Sequence, residues 1–230
     1  MQYAYLFAGA LMLSVWIFLF VRRKDLRKEM LTMSILACPL LLADFFFVPV
    51  YWQPITLFGI PFGIEGLIYT FCLGGITAVL YSEVSHRTPH HIHAWHKKGA
   101  VIILALTLVV FLSLLAMNAS NPMIALYVAL LLGLALMLYV RKDLIRGTLI
   151  GGICFGLLYF VVIKLWLFTF PEAGEWFFFN GIPEARVFGV PLWELLFGVI
   201  FAAYWGNVYQ ILFGYKLVKT PHKKTPAKRP

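Results

Sequence analysis

A chain of 230 residues that is 62% hydrophobic and only 13% charged, with a mean hydropathy of +0.86, excludes a water-soluble domain; its solvent is lipid. The formal net charge of +9 suggests nucleic acid only until the basic residues are located, because seventeen of the nineteen Lys and Arg fall on one side of a membrane. Cys38, Cys72 and Cys154 all lie inside apolar stretches without CxxC spacing, which excludes a disulfide frame and a zinc site.

Seven apolar stretches are long enough to cross about 30 Å of hydrocarbon, centred near Ser14, Pro39, Leu67, Leu108, Leu130, Gly156 and Ile200. No Lys or Arg precedes the first and no small-residue cleavage site follows it, so it is predicted to be a spanning helix and not a removable signal. Arg22, Arg23, Lys24, Arg27 and Lys28 follow it, and the second stretch carries Asp44. The third opens after Phe58-Gly59-Ile60-Pro61 and carries Glu65. Next, the tract Ser85–His96 holds five of the six histidines without ordered ligand spacing, and a solvated loop is expected there in preference to a metal site.

The fourth stretch acts as a connector, and the sequon Asn118-Ala119-Ser120 after it carries no weight so near the membrane. Arg141, Lys142 and Arg146 follow the fifth. In the sixth, Gly147, Gly151, Gly152 and Gly156 predict close helix packing, and Lys164 lies toward its far end. Glu172, Glu175 and Glu184 outnumber Arg186 in the next connection; the seventh stretch carries Glu194 and leads into a basic tail. The positive-inside rule then places the N-terminus outside and the C-terminus in the cytoplasm of a cell membrane.

Arg23-Lys24-Asp25-Leu26 recurs as Arg141-Lys142-Asp143-Leu144, and Phe58-Gly59-Ile60-Pro61 recurs as Phe188-Gly189-Val190-Pro191. Two marks in the same order predict a duplication. The fold class expected is therefore an all-α integral membrane protein of about seven transmembrane helices, in two parallel three-helix repeats joined by a connecting helix. The divisions are 1–83, 84–118 with the His-rich loop and connector, 119–215, and a basic tail 216–230. Parallel copies do not support the inverted repeats common in transporters.

Asp44, Glu65, Lys164 and Glu194 are ionisable groups within spanning stretches, each costly against lipid. The topology puts all four in the outer half of the bilayer, where convergence on one cavity accommodates them. An ion pair between Lys164 and Asp44 is the structural alternative. An acidic side chain favoured by the helix dipole is the alternative for Glu65 and Glu194.

The basic loops Arg22-Arg23-Lys24-Asp25 and Arg141-Lys142-Asp143, with the helix openings around Glu65 and Glu194, resemble the lycopene cyclase domain family of small flavin-free membrane cyclases. The resemblance covers almost the whole chain. Members open the third helix of each unit with Pro-x-Glu-(Glu/Asp). Here Pro191-Leu192-Trp193-Glu194 has Trp193 at the first acidic position, and Gly66 takes the second in the other copy.

The resemblance implies an intramolecular lyase or isomerase acting on a long apolar polyene such as lycopene in carotenoid biosynthesis. Protonation of a terminal C=C, attack by a neighbouring double bond and proton loss close the ring without redox change. A carboxylic acid held neutral by desolvation supplies that proton, and no cofactor or metal is needed. Glu65 and Glu194 are expected to carry the chemistry, then Asp44, with Tyr69, Trp193, Trp52 and Lys164 toward the substrate and aromatic faces stabilising the cation. The partners expected are the polyene and the bilayer, with a homo- or hetero-oligomer open and nucleic acid excluded. Alternatives are a non-catalytic carotenoid- or lipid-binding protein or complex subunit of the same fold, and a retinal binder with Lys164 as Schiff base and Asp44 as counter-ion.

Overall fold

The protein is described by a computed structural model covering residues 1–60, 63–92, 97–117 and 121–219. Pro61, His93–His96, the sequon 118–120 and the tail from 220 onward lie outside the described residues. Seven segments among them are long and apolar enough to cross a membrane: Ala4–Arg22, Lys24–Phe47, Ile64–Val84, Lys98–Ala116, Pro122–Val140, Lys142–Thr169 and Leu192–Phe213. The chain is an all-α integral membrane protein. Side chains such as Tyr139 and Phe168 stand fully out from the bundle, as lipid-facing positions must.

The helices are α1 (Ala4–Arg22), α2 (Arg27–Ala37), α3 (Asp44–Phe47), α4 (Ile64–Val84), α5 (Lys97–Ala116), α6 (Pro122–Val140), α7 (Ile145–Thr169), α8 (Leu192–Trp205) and α9 (Val208–Phe213). Two spans are broken. Pro39 lacks an N–H and crowds the preceding turn, so α2 gives way to a 3-10 turn, Cys38–Ala43, before α3. In the seventh span Gly206 and Asn207 separate α8 from α9. The third span lies later than its apolar centre suggests. Gly59 adopts φ +67° and Gly63 is extended, so helix begins only at Ile64 and Leu67 falls in its first turns.

Both triplets share one plan: α1 and α2 pack on α4, while α6 and α7 pack on α8. The two central helices then meet each other and α7, and α5 lies across α6 and α9. Small residues permit the approach, since a Cβ on Gly152 would stand 3.1 Å from Val199 O and one on Gly198 would stand 2.8 Å from Tyr159 Cδ1.

The repeated Arg-Lys-Asp-Leu segments fold alike. Arg23 donates to Asp25 Oδ1 and Oδ2 at 2.9 and 2.8 Å, and Arg141 grips Asp143 at 2.7 and 2.8 Å. Each guanidinium also holds a strand that follows a central helix: Arg23 donates to Arg87 O at 2.9 Å and Arg141 to Tyr215 O at 3.0 Å.

Those strands, β1 (Arg87–His91) and β4 (Tyr215–Lys219), pair antiparallel with Pro89 opposite Leu217. A solvated loop was expected for the first half of the His tract; Arg87–His91 is instead a ribbon strand, because its partner after α9 satisfies its backbone groups. The start of the basic tail is likewise β4. Two shorter strands, β2 (Arg186–Val187) and β3 (Val190–Pro191), turn the chain into α8 through Phe188 and Gly189 at φ +51° and +87°.

Candidate active site

On the face opposite the basic ribbon, two connections close over the bundle. Gln53 N donates to Trp176 O at 2.8 Å and Phe178 N to Tyr51 O at 2.6 Å, tying the segment after α3 to the segment after α7. Beneath this seam lies a cavity of about 670 Å³. Its walls come from both triplets and from α5, and they are almost entirely carbon. Along α8 and α9 the lining runs from Glu194 to Leu212, about 27 Å at 1.5 Å of rise per residue. A long, narrow, apolar ligand fits that shape.

Two carboxyls line it, Asp44 and Glu194. Tyr159 Oη donates to Glu194 Oε2 at 2.8 Å, and Tyr159 and Tyr69 are hydrogen-bonded through their hydroxyls. Tyr51 lies within electrostatic reach of Glu194 without a well-formed hydrogen bond, and burial holds the Tyr51 phenol well above its ordinary pKa. Asp44 sits on another wall, near Tyr5 and Trp52, whose rings meet edge to face at 5.0 Å. Trp52 also stacks on Phe177 at 6.5 Å.

The four ionisable groups expected to converge are thus divided. Glu65 is buried but lies outside the lining; its Oε1 accepts from Leu57 N at 2.5 Å and its Oε2 has no hydrogen-bond partner among the described residues. Lys164 is exposed and donates to Phe188 O at 2.6 Å, forming no ion pair with Asp44 among the described residues. Trp193 also stands apart from the cavity, donating to Pro183 O at 2.8 Å and stacking on Tyr127 at 5.9 Å. Tyr69 and Trp52 do line the cavity.

Helix phase explains the division. Residues 69, 70 and 73 of α4 and 194, 197 and 201 of α8 face the cavity, with the spacing of one helical stripe. Counted from the residue before each helix, Gly63 and Pro191, Glu65 matches Trp193 and Gly66 matches Glu194. One residue is about 100° of rotation, so Glu65 and Trp193 share a position turned away from the cavity. On the α4 side, a Cβ at Gly66 would stand 3.2 Å from Tyr5 Oη and 3.7 Å from Asp44 Oδ2. Leu41 Cδ1, 2.6 Å from that Cβ, fills the space that a side chain from Gly66 would enter, and Asp44 borders it.

Sequence reasoning passed over Tyr5 and Tyr159, and reads Tyr51 only as one of the aromatics of the interfacial belt or core. For Tyr159 a signal exists: it follows Gly152 and Gly156 by seven and three residues, on the α7 face that approaches α8. Also passed over is Glu29, which is only 2% exposed and accepts from Gln210 Nε2 at 2.9 Å between α2 and α9.

Residues 121–212, from the start of α6 into α9, match the family model described as lycopene cyclase. The second half of the chain is thus similar to the lycopene cyclase family. The lycopene cyclase-like span contains Tyr159 and Glu194, one side of the cavity, while Asp44, Tyr51 and Tyr69 come from the preceding half. No curated protein and no solved structure matches the chain.

Proposed function

We propose that the chain is a membrane enzyme of carotenoid metabolism that closes a ring at the acyclic ψ-end of a long polyene such as lycopene, with Glu194 as the acid. The observation that carries this is the Glu194 carboxyl at one end of a long apolar cavity, fixed by a tyrosine from the neighbouring helix. In its acid form Glu194 adds a proton to the terminal C=C and leaves a tertiary carbocation. The neighbouring double bond attacks that carbon, forming the ring bond and moving the charge. Loss of an adjacent proton to the Glu194 carboxylate or to Asp44 restores a double bond, so atoms and electrons balance without a co-reactant. Tyr69, Trp52 and Phe197 offer aromatic faces to the cation in place of a nucleophile.

The cavity is open to lipid. Among its lining residues Leu36, Leu42, Phe46, Leu108 and Leu112 are exposed on the outside of the bundle, between the second span and α5. A polyene dissolved in the bilayer reaches Glu194 through this mouth without crossing water. Leu108→Trp is expected to slow conversion several-fold, while Leu132→Trp, on an exposed position of α6 away from the lining, leaves it unchanged. Chromatography of the cell pigments measures both.

Tyr159→Phe removes the hydroxyl held by Glu194 and keeps the ring. A hydrogen bond to a charged group is worth about 1.5–3 kcal/mol, and Tyr159 donates to the carboxylate that proton transfer leaves, so the initial rate is expected to fall about 10- to 100-fold with the membrane level of the protein unchanged. The reading itself is tested by expressing the chain in lycopene-accumulating bacteria and separating their pigments. Cyclic carotenoids support it; unchanged lycopene with folded protein leaves a polyene-binding role for the same cavity. The Schiff-base alternative lacks its geometry, because Lys164 points out of the bundle.

We further propose that the triplets are two parallel copies, 1–83 and 119–215, with 84–118 as the connector. The N-terminus is assigned to the outside and the basic ribbon to the cytoplasm. The shared packing plan and the paired arginine clamps support the copies, and the distribution of Lys and Arg supports the orientation.

A further inference from the structure

At the basic face a second pocket, of about 160 Å³, opens between the two triplets, away from the carboxyl cavity. Its floor is polar and buried: Thr77 of α4 and Asn207 after α8, the latter donating to Thr148 Oγ1 at 2.8 Å and to Ala203 O at 2.6 Å. Its rim carries three cations, Arg87, Arg146 and Lys216. Arg87 spends one N–H on Leu217 O at 3.0 Å and lies over the Tyr81 ring at 5.7 Å. The one carboxylate in the lining, Asp143, is already clamped by Arg141 at 2.7 and 2.8 Å. The pocket therefore holds an excess of positive charge in a partly enclosed polar space.

The other triplet shows what such a space accommodates. Glu29 stands four residues after Asp25, and Gly147 stands four residues after Asp143. Glu29 projects between α2 and α9 and fills the interface with a carboxyl bonded to Gln210. Gly147 has no side chain to project toward α4, and the pocket lies there, with Tyr81 3.0 Å from where its Cβ would be. Where one half of the molecule fills this place with a buried side-chain carboxyl, the other leaves a cavity rimmed by cations.

We propose that this pocket binds the phosphate group of an anionic ligand, either a membrane phospholipid headgroup or a soluble phosphate. Basic pockets between spanning helices at the membrane surface recognise such headgroups, and each Lys or Arg adds substantially to the attraction. The inference does not depend on the chemistry in the carboxyl cavity.

The test is native mass spectrometry of the purified full chain in detergent, titrated with phosphatidylglycerol and, in parallel, with phosphatidylcholine. Arg146→Ala/Lys216→Ala is compared with Lys24→Ala/Lys28→Ala, which removes equal charge from the same face outside the pocket. The expected result is retention of phosphatidylglycerol over phosphatidylcholine, weakened about tenfold or more by the first pair and little by the second. Millimolar inorganic phosphate assigns the source. Displacement of the lipid by phosphate indicates a soluble phosphate ligand, and undisturbed retention indicates the headgroup. Equal weakening by both pairs, or no preference between the two lipids, would overturn the proposal.

Discussion

Glu194→Gln is expected to lower the rate of ring formation by about 10²- to 10⁴-fold, the range associated with loss of a general acid or base. The change keeps the shape of the side chain and leaves an oxygen or nitrogen to meet Tyr159, so the α7–α8 contact survives and the protein reaches the membrane at its normal level. What disappears is a transferable proton at the end of the cavity. Glu65→Gln provides the contrast. Its amide oxygen still accepts from Leu57 N, the side chain lies outside the cavity lining, and the rate is expected to stay within a few-fold of the parent. Pigment chromatography at early times, with matched protein levels, reads both variants. Equal loss in the two would return Glu65 to the chemistry; normal rates in both would remove carboxyl acid catalysis by Glu194.

The contrast turns on a single residue of helix phase. Each glutamate follows its Gly-x-Pro closely, and from the sequence they look equivalent. The structure begins α8 directly after Pro191 but begins α4 only after Gly63, two residues beyond Pro61. Glu65 precedes Tyr69 by four residues where Glu194 precedes Phe197 by three, which turns Glu65 about 100° from the position on the stripe that Glu194 holds. The stripe itself was legible: residues 69 and 73 recur with the spacing of 197 and 201, and extending it by one turn reaches Gly66 and Glu194. Asp44 was legible as a costly intramembrane carboxyl. Its neighbour Tyr5, and Tyr51 near Glu194, were not, because an aromatic near the end of a span reads equally as an interfacial anchor.

Spans were the easiest features to find, since hydropathy over about twenty residues depends on no partner. The β1–β4 ribbon was the hardest. Its strands are five residues each, rich in His, Lys and Pro, and separated by most of the chain, so neither has a strand signature until the other is beside it. Glu29 was hidden for a similar reason. It follows Arg27 and Lys28, which mark a membrane boundary, yet the turn Lys24–Leu26 starts the second span early and carries Glu29 inside against Gln210.

Gly74→Leu is expected to cause the largest loss of stability of any single change considered. Gly74 lies where α4 passes α2, and a Cβ there would stand 2.3 Å from the Ala37 Cβ and 2.6 Å from Met33 O. The second is a backbone atom of the facing helix, so no side-chain rotation relieves the overlap; the helices must separate. Lipid gives little incentive to hold them together at a greater distance, because helix association within the bilayer rests on close van der Waals contact. Overpacking a tight site costs about 1–3 kcal/mol or more, and here a four-carbon side chain enters a gap that excludes even one carbon. Fluorescence-detected size-exclusion chromatography after a heat series checks this: the monodisperse peak of Gly74→Leu is expected to be absent or lost at much lower temperature than the parent. Gly99→Leu, whose Cβ would meet nothing within 4 Å among the described residues, is the matched control and is expected to keep the parental profile. The consequence reaches the cavity, since Leu73 beside Gly74 and Tyr69 one turn earlier form part of its wall, and a displaced α4 carries both away from Tyr159 and Glu194.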